Sequence, residues 1–174
     1  MKVGGPGRGR RTKTQQLNNA LVLALAAEYQ GFLRDLHDEA VQAIVRHAVS
    51  DLPMRDLIGA GLRRSRELDA QTPREERVSR GFARIGMDDL WDRIKSSLPK
   101  RGRHWVVEYR RLLNARNAIA HADEARLAQI RQEGCKIDLA QIRAWRNALN
   151  GLARVTNLAV QEYLEEQTGH TPPW

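Results

Sequence analysis

The chain has 174 residues and sets 29 Lys and Arg against 21 Asp and Glu, a net charge of +8; that is enough chain for one domain with a core and too little for two large ones. A single cysteine excludes a disulfide framework and a cysteine-based zinc site, and the longest apolar run, Ala20 to Ala27, is far short of the ~20 residues that span a membrane. Arg outnumbers Lys 24 to 5, and because the guanidinium fork matches phosphate, the excess points toward nucleic acid or another acidic partner.

The composition fits an all-α chain in a soluble, reducing, cytoplasmic setting. Ala (21) and Leu (20) lead the apolar residues, both good helix formers, while Val, Ile and Thr never alternate over the length of a strand. Residues 1–13 read as a disordered, Gly-rich basic tail, 14–167 as a helical domain and 168–174 as a second tail. The first long helix is expected from Thr14 to Ala48, with an apolar stripe of Leu17, Leu21, Ala24, Leu33, Leu36, Ala40 and Ile44. Pro53 ends that pattern. A helix over Met54 to Leu68 follows, then a long, partly mobile basic loop with some helix from Arg74 to Gly86, anchored by Phe82 and Ile85. Met87 to Leu98 reads as a short helix capped by Asp88, and another helix begins near Arg103. The last helix should start behind Asp138, with Gln141 three residues on, and run to Gln167. Its buried seam is Ile142, Trp145, Leu149, Leu152, Thr156, Ala159 and Tyr163, at 3-4-3-4 spacing.

The charge is uneven. Residues 1–16 carry +5, 55–84 carry +3 and 100–116 carry +5. The third segment leads into Arg116-Asn117-Ala-Ile-Ala-His121. On a helix Asn117 and His121 share a face, with Leu113 on the same ridge and Arg116 about 100° away. This combination suits RNA cleavage without a metal. An imidazole can take a proton from a 2′-hydroxyl or give one to the departing 5′-oxygen, and a guanidinium can hold the charge that develops on phosphorus. One histidine cannot easily serve as acid and base at once, whereas two copies facing across a twofold axis supply both.

These residues resemble the Arg-polar-x-x-x-His signature of the HEPN superfamily, and Tyr109 to Asp123 looks most like its RiboL-PSP-HEPN subgroup. The resemblance implies a dimeric helical bundle with long first and last helices. It implies a metal-independent ribonuclease of the toxin or antiphage-defence kind, with Arg116 and His121 catalytic and Asn117 as the polar residue after the Arg. It calls for no cofactor or metal, and allows an antitoxin or other regulatory protein as partner. Some toxins of the family carry a Tyr two residues after the His that the antitoxin modifies; this chain has Asp123 there, so control through that Tyr is not implied. The alternative within the resemblance is an inactive module that binds RNA or protein.

The expected RNA contacts are Arg101, Arg103, His104, Arg110 and Arg111, with Arg63 and Arg64 from the earlier basic segment. For His104 and for the cluster Arg63, Arg64 and Arg66, a solvated surface is the competing reading. Trp91, Trp105 and Trp145 sit in helical stripes and read as core rather than as stacking platforms. His37 and His47 fall on different faces of the first helix and do not form a shared metal site. Cys135, beside Gly134, reads as an incidental thiol. A DNA-binding helix-turn-helix over 54–69 is disfavoured because no short turn leads into a recognition helix there.

Overall fold

The computed structural model describes residues 8–69, 72–172 and 174, apart from the side chains of 8–13 and of Arg101. Among the described residues the chain is all-α. Its helices are α1 (Arg8–Ala48), α2 (Leu52–Ser65), α3 (Glu75–Ala83), α4 (Leu90–Ser97), α5 (Trp105–Ala120), α6 (Glu124–Gln132) and α7 (Leu139–Thr168), with a 3-10 turn at Lys100–Gly102. The first and last helices are the longest, at 41 and 30 residues. No described helix is long and apolar enough to cross a membrane.

Helices α1, α5 and α7 pack against one another and form the centre; α2 lies outside on α1, α4 on α7 and α6 on α5. The core of α7 follows the expected seam, and all seven of its residues are buried. Trp91 and Trp145 are buried and Trp105 is half-buried. The Asp138 carboxylate accepts from the Gln141 N–H at 2.9 Å, as the sequence suggests.

The inward face of α1 differs from expectation over its first half. Leu17 is 61% exposed and Leu21 36%, and Ala24 is also exposed; the buried residues are Val22, Leu25, Ala26 and Tyr29. Leu17, Leu21 and Leu25 fall within about 80° of one another and Leu23 on another side, yet only Leu25 of the four is buried, so hydrophobicity alone does not choose a face. Asn18 marks the inner one: it is buried and donates to the Ile137 carbonyl at 3.2 Å. The helix also begins at Arg8, earlier than Thr14, and passes Gly31 unbroken. Residues 1–7 of the expected tail lie outside the described residues.

The link after α2 is laid along α1. Arg66 pairs with Asp38 and, at 2.7 Å, with Asp69; Arg34 meets Asp69 at 3.0 Å; and Gln30 donates to the Leu68 carbonyl at 2.6 Å. Residues 74–86, expected as a loop with some helix, are mostly helix, α3 taking Glu75–Ala83. Val78 and Phe82, one turn apart, are buried, and Gly81 lies so close to α2's trailing link that a Cβ there would sit 3.3 Å from the Leu68 Cγ. His37, fully buried on α1, engages the Gly81 carbonyl at 3.2 Å. Tertiary partners therefore order a segment whose own sequence is mostly polar. The N-cap of α4 is Asp89 rather than Asp88, and its carboxylate takes Arg93 at 2.8 Å instead of capping the helix. Beyond α7, Gly169 turns left-handed at φ 71°, and the last residues return along the helix, with Pro172 buried and Thr171 donating to Glu165 at 3.0 Å.

Candidate functional site

The site begins on the C-terminal half of α5. Ala115 and Ala118 are buried against the centre, which leaves Arg116 and Asn117 half-buried on the adjoining side. The second half of the site comes from residues 72–80. Two aromatic side chains bring that segment to α5: the Tyr109 hydroxyl donates to the Pro73 carbonyl, and the Trp91 indole donates to the Glu75 carbonyl at 2.9 Å. Tyr109 is itself held edge-on to Tyr29, at 5.2 Å between ring centres, and parallel to Trp91 at 6.2 Å. Burial pushes the Tyr109 hydroxyl well above its ordinary pKa, so it remains a donor.

Thr72 then enters the motif directly. Its hydroxyl donates to Asn117 Oδ1 at 2.7 Å. Arg116 Nη1 donates to that same amide oxygen at 3.0 Å and to the Thr72 oxygen at 3.2 Å. Both partners of Arg116 are neutral.

His121 closes α5 as its C-cap, with its N–H on the Asn117 carbonyl at 3.0 Å. The two following amides complete a Schellman turn: Ala122 N–H reaches Ile119 O at 3.1 Å and Asp123 N–H reaches Ala118 O at 2.9 Å. This places Ala122 at φ 50°, the one non-glycine in the left-handed region among the described residues. Asp123 starts the next helix, its carboxylate accepting from the Arg126 N–H at 2.9 Å. The residue that departs from the toxin pattern is therefore a helix cap here.

Arg116, Asn117 and His121 line one side of a concavity of about 800 Å³, and Thr72, Arg74, Glu76, Arg77 and Arg80 line the other. Arg80 is paired with Glu67 at 2.7 Å. No carboxylate among the described residues pairs with Arg74, Arg77 or Arg116. Arg77 and Arg116 are half-buried and Arg74 is exposed; these three unpaired guanidinium groups outnumber Glu76, the one carboxylate that lines the concavity, and leave it suited to an anion.

The other residues expected to bind RNA lie elsewhere. Arg110 is held by both oxygens of Glu75, and Arg111 pairs with Glu108 at 2.7 Å. Arg103 and His104 precede α5 and are exposed; its 16 residues put them about 24 Å from His121. Arg101 falls in the 3-10 turn, and its side chain lies outside the described residues. Arg63 and Arg64 are on α2, where Arg63 lines a separate groove against α1 and Arg64 faces solvent. None of these lines the His121 concavity. The sequence reading expected the basic segment 55–84 to hold phosphates but did not single out Thr72, Arg74, Glu76, Arg77 or Arg80 within it. The spacing of the three arginines, three residues apart, was the available signal for a common helical face; Thr72, in a link, offered none.

Among the described residues no three His, Cys, Asp or Glu side chains gather as metal ligands. Cys135 is buried, and burial together with the nearby Glu108 pushes its thiol up, away from nucleophilic use. No family model, no curated protein and no solved structure matches the chain.

Proposed function

We propose that the chain is a metal-independent endoribonuclease of the HEPN kind, acting at the concavity between α3 and α5. The observation that carries this reading is the convergence of Arg116, Asn117 and His121 on one cationic surface, with Arg116 bonded only to neutral oxygens. The guanidinium is thus available to a phosphate. A base removes the proton of the 2′-hydroxyl, whose oxygen attacks phosphorus. The bond from phosphorus to the 5′-oxygen breaks, an acid returns a proton to that oxygen, and a 2′,3′-cyclic phosphate remains. His121 performs one of these transfers and the same residue of a second copy performs the other, so the active form is a homodimer. Arg116 stabilises the phosphorane, Asn117 positions it, and Arg74 and Arg77 hold neighbouring phosphates. The setting is cytoplasmic, in toxin or antiphage systems, with an antitoxin or other regulator as the protein partner.

His121→Ala is expected to lower RNA cleavage by about 10²- to 10⁴-fold with the helical circular dichroism unchanged. Wild-type cleavage should persist in EDTA and give cyclic-phosphate ends. Cleavage by the His121 variant at the wild-type rate refutes the mechanism.

One observation favours a second reading, a binding module without cleavage. The His121 ring makes no hydrogen bond among the described residues, so none of them sets its tautomer. That reading predicts salt-dependent RNA binding with no cyclic-phosphate product.

A further inference from the structure

A second concavity, of about 350 Å³, adjoins the first, and Arg74 and Glu76 line both. Its deepest lining residues are the buried Tyr109 and Leu113, and the rest of its lining is polar or charged. Its polar rim has an uneven state of engagement. Glu75 is consumed by Arg110, which occupies both carboxylate oxygens. Glu76, beside it, is exposed and has no hydrogen-bond or ion-pair partner among the described residues. Asn114 is half-buried, and its amide also has no partner among them. Asn114 lies three residues before Asn117 and seven before His121, on the same ridge of α5.

This second concavity therefore offers a free carboxylate and a free amide next to the anion site. The edge of a base held beside the anion site would meet these two polar groups. A carboxylate only accepts, and it accepts best from two adjacent donors. Guanine alone among the RNA bases presents two neighbouring donors, N1–H and the 2-amino group, with the O6 acceptor alongside for an amide N–H. Adenine and cytosine place a ring-nitrogen acceptor beside their single amino group, and uracil flanks its one N–H with two carbonyls; a carboxylate is repelled by each of those acceptors.

We propose that this second concavity is a guanine subsite, in which Glu76 accepts from N1–H and the 2-amino group while Asn114 donates to O6. The inference rests on the reading that the neighbouring concavity holds an RNA phosphate at Arg116. It makes the enzyme selective for the nucleotide next to the bond that is cut.

The test is calorimetric titration of the full chain with guanosine 3′-monophosphate and with adenosine 3′-monophosphate, together with sequencing of RNA cleavage ends on the same samples. The guanosine nucleotide is expected to bind about 10- to 100-fold more tightly. Glu76→Gln should remove that preference, because the new amide sets a donor against a donor; Asn114→Ala should reduce it, and Arg116→Ala should weaken both nucleotides alike. Equal affinities in the wild type, or a preference that survives Glu76→Gln, overturns the subsite. Guanosine preference without any RNA cleavage supports the subsite and refutes the nuclease. Cleavage without base preference refutes the subsite alone, and neither binding nor cleavage refutes both.

Discussion

Ala122 holds a backbone conformation that its side chain disfavours, one residue after the histidine of the motif. The other left-handed positions are Gly86, Gly134 and Gly169, where no Cβ is present to clash. An alanine at φ 50° costs about 1–2 kcal/mol relative to the right-handed region. Ala122→Gly relieves that strain but adds freedom to the unfolded chain, so the expected net gain is about 1 kcal/mol, read as a higher urea midpoint with an unchanged slope. No gain would mean that the strain at Ala122 is no larger than the freedom glycine adds to the unfolded chain. At this scale the motif was legible because Arg116, Asn117 and His121 lie within six consecutive residues and helical geometry alone places them together. Thr72 was not, since its bond to Asn117 depends on where Tyr109 and Trp91 hold a segment far away in sequence.

At the scale of elements, the start of α5 comes closest to α7 where the Trp105 ring lies against Gly151. A Cβ on Gly151 would lie 2.5 Å from the Trp105 ring, and a Cβ on Gly102 would lie 2.9 Å from it on another side. The ring is held between the 3-10 turn and α7 and has little room to yield. Gly151→Ala gains about 1 kcal/mol of helix propensity, but overpacking of a confined ring costs about 1–3 kcal/mol. The expected balance is a loss of about 1 kcal/mol in thermal or chemical unfolding. In a Trp105→Leu background the same substitution should turn stabilising, and a double-mutant cycle measures that coupling. A stabilised Gly151→Ala chain with Trp105 intact would refute the wedge. The long helices were legible because many buried positions repeat along them. Helices α3 and α6 were not: each has nine residues, and α6 buries only Leu127 and Ile130. Two apolar residues in nine carry too little periodicity to separate a helix from a loop.

For the whole molecule, α1 is the spine, and His37 joins it to α3 from within the core. Burial lowers the affinity of this imidazole for a proton, more than its bond to Gly81 and the nearby Asp38 raise it. Its folded pKa therefore lies below the ordinary 6.5. The unfolded chain takes up the proton first as pH falls, so the contribution of His37 to stability is complete above pH 6.5 and declines below it. The melting temperature should fall between about pH 7 and pH 5, and His37→Gln should flatten that slope while lowering stability at pH 7. Equal slopes for the two proteins would assign the pH dependence to other groups. Net charge, by contrast, was a poor guide to placement. The basic stretch leading to Arg116 begins at the far end of α5, and much of its charge is neutralised by Glu75 and Glu108. Only Arg116 of that stretch lines the concavity; the other arginines there come from the start and face of α3, inside the more weakly charged segment 55–84.

The bond from Thr72 to Asn117 bridges 45 positions of chain, and this separates in time what the sequence writes together. A helix such as α5 winds within about a microsecond, with Asn117 and His121 already on one ridge. The Thr72 hydroxyl reaches that ridge only after α2 and its trailing link have been laid along α1, a non-local step that proceeds far more slowly. A nascent chain thus displays every residue of the motif without the assembled concavity, and competence belongs to the finished fold rather than to the six residues that announce it.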